Sequence, residues 1–213
     1  MPLIILFGPD GSGKTTIAME LIKRLRKLNY RVVYIKMRSH HLLMYLILRL
    51  LQKLDIISET CSPRIIDYSL RKIFRKSKMF VLLEFSNIVT WYLFFVKPHI
   101  MRKTIVIADR FSPDSIVSLH VISKVIPYTY KKVLLSLCRK STAIYVRANP
   151  EVLLSRKIDE DLSEKYLKYI LVLYDEIVKY MASVARDLIV LDTTNLPKDQ
   201  SIKITLEYVR KHL

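Results

Sequence analysis

An α/β domain whose parallel sheet is covered by helices on both faces is the fold class the sequence predicts. Three observations predict it. Short apolar runs alternate with longer stretches of helical spacing along the whole chain. Those runs are continuously apolar, which marks strands buried on both faces. The first of them passes straight into a glycine-rich turn and then a helix.

The elements follow in order. Residues 3–7 (LIILF) are the first strand. Residues 16–28 read as a helix, with Ile17, Leu21, Leu25 and Leu28 at intervals of three and four. Residues 31–35 are a second strand. Residues 41–54, 65–77 and 79–96 read as helices, with Pro63 and Pro98 as breaks. Residues 104–108 (TIVIA) are a third strand. Pro113 starts a helix near 114–125, and 128–138 is another. Residues 142–146 (TAIYV) are the fourth strand, and Pro150 opens a helix over 151–158. A long helix over 162–185, a fifth strand over 188–191 and a closing helix over 198–211 complete the chain. Five strands joined by helical crossovers make one sheet. No linker or repeat divides residues 1–213, so a single domain is expected.

Composition bounds the function. Hydrophobic residues make up 51% and charged residues 26%, which argues against disorder. Cys61 and Cys138 stand in no zinc-ligand pattern, and a reducing cytoplasm is the expected compartment. There are 36 Lys and Arg against 19 Asp and Glu, a net +17 that attracts anions. The basic residues are scattered along the sequence, and we read them as solvated surface and phosphate steering. The apolar run 79–96 approaches the length of a bilayer span, but it contains Glu84 and Asn87. A carboxylate near the bilayer centre costs roughly 3 kcal/mol, so a buried helix is the better reading.

The sharpest motif is Gly8-Pro9-Asp10-Gly11-Ser12-Gly13-Lys14-Thr15, which fits GxxxxGK[ST] between a strand and a helix. A phosphate must be wrapped by inward-pointing N–H groups, and glycine leaves room for that approach. The helix N-terminus points at the same anion. Lys14 reaches the β- and γ-phosphates of ATP, Thr15 offers a hydroxyl to Mg2+, and Thr16 completes the cradle. The chain has three glycines, and all lie in this loop. The motif defines a P-loop NTPase of three layers. At the end of the third strand, Asp109 is a second candidate Mg2+ ligand, with a turn or capping aspartate as the plainer alternative. Arg110 beside it is placed to grip an acceptor phosphate, or is a surface arginine. His40 and His41 are adjacent and point apart, which argues against a shared metal.

With these residues in view, the chain resembles the thymidylate kinase family of nucleoside monophosphate kinases. The resemblance runs through 7–16 (FGPDGSGKTT), through Lys97-Pro98-His99 to Asp109-Arg110-Phe111, and through 149–157 (NPEVLLSRK). It implies a five-stranded parallel sheet and a homodimer through helices, and because large apolar patches seldom stay exposed, part of 79–96 is the expected interface. It also implies Asp10 on the acceptor sugar, Arg110 on the acceptor phosphate, Arg156 near ATP and Asn195 near adenine. Arg38 is the one arginine kept after the second strand. Ile88 and Trp91 stand near the positions where the family reads thymine with an arginine and a Gln or His. Glu84, Asn87 and Trp91 share one helical stripe and are the expected pocket lining.

The expected activity is therefore ATP:nucleoside-monophosphate phosphotransfer, with dTMP as the acceptor. Lys14, Asp109, Arg110 and Arg156 are the expected catalytic residues. Two other readings stand beside it: a phosphorylated acceptor other than a nucleotide, and a P-loop ATPase that binds nucleic acid through the net charge. Peripheral membrane attachment through the apolar helices is a weaker third.

Overall fold

The structure, a computed structural model, describes residues 3–37, 78–124, 126–156 and 163–213. The helices expected over 41–54 and 65–77, together with Arg38, His40, His41 and Lys157, lie outside those residues.

Five strands form one all-parallel sheet: β1 (Leu3–Phe7), β2 (Val32–Lys36), β3 (Ile105–Asp109), β4 (Thr142–Arg147) and β5 (Asp187–Asp192). Their order across the sheet is β2-β3-β1-β4-β5, so the strand leading into the glycine turn is central. Side chains alternate between faces along a strand, and β1 shows both halves of the core. Leu3, Ile5 and Phe7 enter one cluster, while Ile4 and Leu6 enter the other.

The second cluster is closed by α1 (Lys14–Lys27) and α8 (Lys198–Lys211), through Ile17, Leu21, Leu25 and Val209. The first is closed by α2 (Lys78–Trp91), α4 (Ser112–Ser123), α5 (Tyr128–Ser136) and α7 (Glu164–Val184). The result is the three-layer α/β arrangement expected for a P-loop domain. Ile5 and Ile144 are fully buried, and truncating either to alanine is expected to cost about 2–5 kcal/mol. A short helix, α6 (Pro150–Ser155), packs against α7 through Leu153, Leu167 and Leu171.

The expected break at Pro98 is corrected. The helix of α2 passes through a π-helical turn (Tyr92–Val96) and continues as α3 (Lys97–Met101) with Pro98 inside it. The Lys97 N–H reaches back to the Tyr92 carbonyl, one residue further than in an α-helix. The wider turn falls just where a proline ring would otherwise crowd the carbonyl of the preceding turn and has no N–H to give. Among the described residues no helix is long and apolar enough to cross a membrane. Cys138 is buried against the Ser112 hydroxyl at 3.0 Å, and burial pushes its thiol up to about 12, so it is not a nucleophile.

Candidate active site

The carboxyl ends of parallel strands are where ligands bind in such sheets. Three of those ends carry the site. β1 leads into Gly8, β3 ends at Asp109, and β5 leads into Thr193.

Gly8 has φ 140°, and a Cβ there would lie 2.1 Å from the Val146 carbonyl oxygen. Only glycine lets the loop leave β1 so close to β4. Gly13, with φ 94°, forms the left-handed cap from which α1 starts. Lys14 is buried and folded back over the loop, where its ammonium donates to the Pro9 carbonyl and, at 3.3 Å, to the Ser12 hydroxyl. A buried cation folded over a glycine loop at a helix N-terminus is a phosphate site in physical terms.

Asp109 is fully buried at the tip of β3. Its Oδ2 accepts from the Thr15 hydroxyl at 2.6 Å and from the Tyr34 phenol at 2.7 Å. Burial first, and then the bond to Asp109, raises the Tyr34 phenol above its ordinary range. Lys36, paired in register with Asp109 across β2 and β3, brings its ammonium to 3.8 Å from Oδ2 and 3.4 Å from the Thr15 hydroxyl. Asp109 Oδ1 has no hydrogen-bond partner among the described residues although it is buried. An orphaned carboxylate oxygen beside a hydroxyl is an oxygen-only donor pair that suits a hard divalent cation such as Mg2+.

Arg110 follows with φ 68°, a left-handed conformation that costs a non-glycine residue about 1–2 kcal/mol. Its N–H bonds the Leu6 carbonyl at 3.0 Å, which fixes it beside the loop, and its guanidinium pairs with Asp10. The two residues expected on the acceptor are thus brought together. Sequence reasoning missed what holds them. Asp114 is buried and accepts from Gly8 N–H at 3.2 Å, Phe111 N–H at 3.1 Å and the Tyr174 hydroxyl at 2.9 Å. It ties the phosphate loop to the Asp109–Arg110 tip and to α7. Burial raises its carboxyl above the usual range, against the opposing charges of Lys14 and Arg110 and the Gly8 and Tyr174 bonds. The signal that could have found it is an acid three residues after Phe111, at the N3 position of a helix with proline near its start.

On the other side of the loop, Arg156 Nη1 donates to the Gly11 carbonyl at 3.2 Å and to the Thr193 hydroxyl at 3.1 Å, and Nη2 to the Thr193 carbonyl at 2.9 Å. Thr193, also missed, is buried and donates to the Ser12 carbonyl at 3.1 Å. These contacts edge a cleft of about 290 Å3 lined by Gly11, Gly13, Thr16, Arg156, Leu196 and Lys198 among others. Asn195, expected near adenine, is exposed, and the cleft is lined by its neighbours Thr193 and Leu196.

The expected acceptor lining sits on α2. Glu84 and Asn87 are buried, and Trp91 is half-buried with its ring 5.4 Å from that of Phe95. Phe85 on the same helix is stacked on Tyr130 at 4.4 Å. Among the described residues no group of three or more His, Cys, Asp or Glu side chains could hold a metal without other donors.

A glycine loop closing the central strand of an all-parallel sheet, with a carboxylate on the neighbouring strand tip, defines a P-loop α/β protein. A family model described as "Chromatin associated protein KTI12" matches residues 1–45. That stretch takes in β1, the phosphate loop, α1, β2 and the first residues after it, and leaves out Asp109, Arg110, Asp114 and Arg156. No curated protein matches the chain.

Proposed function

We propose that the chain is an ATP-dependent phosphotransferase of the nucleoside monophosphate kinase type, with dTMP as the first acceptor to try. The observation that carries this reading is the junction of two contacts at one strand tip. Asp109 is bonded to the P-loop threonine, and Arg110 next to it is paired with Asp10 of the loop. An ATPase needs the first of these. A second anion site a residue away is what a phosphorylated acceptor needs.

In this reading the loop N–H groups and Lys14 hold the β- and γ-phosphates. Thr15 and Asp109 would hold Mg2+, which would supply charge neutralisation for the transferred group. Arg110 releases Asp10 to take the acceptor phosphate in a bidentate grip, and Asp10 turns to the acceptor sugar. The acceptor is already ionised, so no general base is required. Positioning and charge neutralisation carry the rate. Arg156, braced on Thr193 and Gly11, lies between the phosphate loop and the cleft that would take the adenosine.

The acceptor base is read loosely. Ile88 and Trp91 replace the thymine-reading donors of the resembling family, and a pocket that stacks a base discriminates by only roughly 1–3 kcal/mol. Measuring ADP release against dTMP, dUMP, UMP, CMP, AMP and GMP in parallel tests the reading. Stimulation by several pyrimidine monophosphates supports it. A several-hundredfold preference for dTMP refutes the loose pocket, and silence with all six moves the acceptor to a phosphorylated sugar or lipid.

A second reading has specific support. The family matching residues 1–45 is described as chromatin associated, and the net charge is +17. A nucleic-acid-bound P-loop ATPase would bind duplex DNA tightly near physiological salt. It would hydrolyse ATP with no response to monophosphates.

A further inference from the structure

Ten of the 36 cations scattered along the sequence are gathered by the fold at one edge. In a parallel sheet every strand starts at the same edge, here the edge opposite the phosphate loop. Residues 26–31, 102–104, 139–141, 185–187 and 210–213 all lie there, at the starts of β2, β3, β4 and β5 and the end of α8. Neighbouring turns are tied together: Ile105 N–H to the Arg31 carbonyl at 2.9 Å, Arg186 N–H to the Ser141 carbonyl at 3.0 Å, and the Arg186 guanidinium to the His212 carbonyl at 3.3 Å. These five segments carry ten exposed lysines and arginines and one acid, Asp187. Five strands spaced about 4.8 Å apart make this edge roughly 19 Å long.

Helix dipoles favour cations at helix ends, and that accounts for the last turns of α1 and α8. It does not account for Lys140, four residues past the end of α5, or for the backbone strain taken at Lys103 as well as Lys140. Both take left-handed φ, 55° and 65°, where glycine is the residue of least strain. Nor does it account for the apolar side chains among the cations. Met101, immediately before Arg102 and Lys103, is 74% exposed, and Phe94 on the same helical run is 71% exposed. Leu28 and Tyr30 protrude between Lys27 and Arg31.

We infer that this edge, with the foot of the α2–α3 helix, docks on an anionic lipid surface. Cations neutralise the headgroups while Met101, Phe94 and Leu28 enter the interface. A phosphate backbone would satisfy the cations but gives exposed aliphatic side chains nothing to bury against. A second copy of the chain would cover the apolar residues, but at a net charge of +17 it offers the cations of this edge little counter-charge. The nucleotide cleft lies at the opposite edge of the sheet and stays open to water, so docking is independent of which acceptor is used.

Co-sedimentation tests this, using the full chain with vesicles of phosphatidylcholine alone and of phosphatidylcholine mixed with phosphatidylglycerol. The expected result is binding to the mixed vesicles only. Lys103→Glu with Lys140→Glu should weaken it by at least about tenfold, because each surface cation contributes several-fold. Phe94→Ser with Met101→Ser should also release the protein while a fluorescent ATP analogue binds as before, which shows that the variants are folded. Retained vesicle binding in the serine pair overturns the inference. So does a stable dimer, seen by light scattering, that Phe94→Ser dissolves. Binding to a duplex oligonucleotide that depends on Lys103 and Lys140 but not on Met101, with no vesicle binding, makes the edge a nucleic-acid interface instead.

Discussion

The Thr15 hydroxyl donates to Asp109 Oδ2 at 2.6 Å, joining residues 94 positions apart in the chain. The bond places the P-loop hydroxyl against a fully buried carboxylate whose other oxygen is unsatisfied among the described residues. Replacing Asp109 with Asn keeps the shape and removes the charge. The expected outcome is turnover lowered by about 100-fold or more, with loss of Mn2+ binding by electron paramagnetic resonance and a nearly unchanged melting temperature. Wild-type Mn2+ affinity in this variant would remove Asp109 from the metal site.

Gly8 and Gly13 both have positive φ but differ in surroundings. A Cβ on Gly8 meets the Val146 carbonyl oxygen at 2.1 Å, whereas one on Gly13 meets nothing within 4 Å. Gly8→Ala should therefore destabilise by about 3 kcal/mol or more, from overpacking added to backbone strain. Gly13→Ala should cost only about 1–2 kcal/mol. Urea unfolding of the two variants checks the order, and equal destabilisation would contradict the packing argument.

Asp114 gives a pH signature. Burial raises its carboxyl, so at mildly acidic pH the folded chain holds a proton that the unfolded chain, with an ordinary value of about 3.9, has released. Stability from this group is therefore full below that unfolded value and falls as pH rises through the raised folded one. Asp114→Asn has no such titration. Unfolding both proteins across a pH series should show wild type gaining on the variant as pH is lowered towards 4. The opposite trend would mean that Gly8, Phe111 and Tyr174 bind the ionised carboxylate strongly enough to reverse the effect of burial.

Arg156 and Thr193 act as one brace across the cleft, through two direct hydrogen bonds. Arg156→Ala and Thr193→Val should each weaken ATP binding, by about tenfold for the arginine, on the worth of bonds made to a charged group. The double variant should cost clearly less than the sum, because the pair shares its contacts. Calorimetric titration of the three variants measures the coupling, and strict additivity would contradict the brace.

Much of this was legible in the sequence because it rests on local signals. The five strands are continuous apolar runs, and each is found within about two residues of its expected place, the usual scatter of element ends. Lys14, Thr15 and Asp109 could be singled out because glycine spacing and strand-end position are local facts. Asp114, Thr193, Tyr34 and Lys36 were missed because their roles depend on pairings across strands. Tyr34 and Lys36 lie in β2 with nothing to mark them until register brings Lys36 opposite Asp109. The helix through Pro98 was missed because a π turn has no sequence signature that spacing alone reveals. The basic edge was hidden for the same reason as the site: its cations are gathered by topology from five separate segments.

The central claim is that the γ-phosphoryl group passes to a phosphorylated acceptor and not to water. Phosphorus NMR of ATP, Mg2+ and dTMP with the wild-type chain and with Lys14→Ala reads this directly. The account predicts a growing diphosphate of the acceptor matched mole for mole by ADP, with Lys14→Ala silent and still folded. Inorganic phosphate as the accumulating product, with no acceptor diphosphate from dTMP or any other monophosphate, would contradict it, as would undiminished transfer by Lys14→Ala.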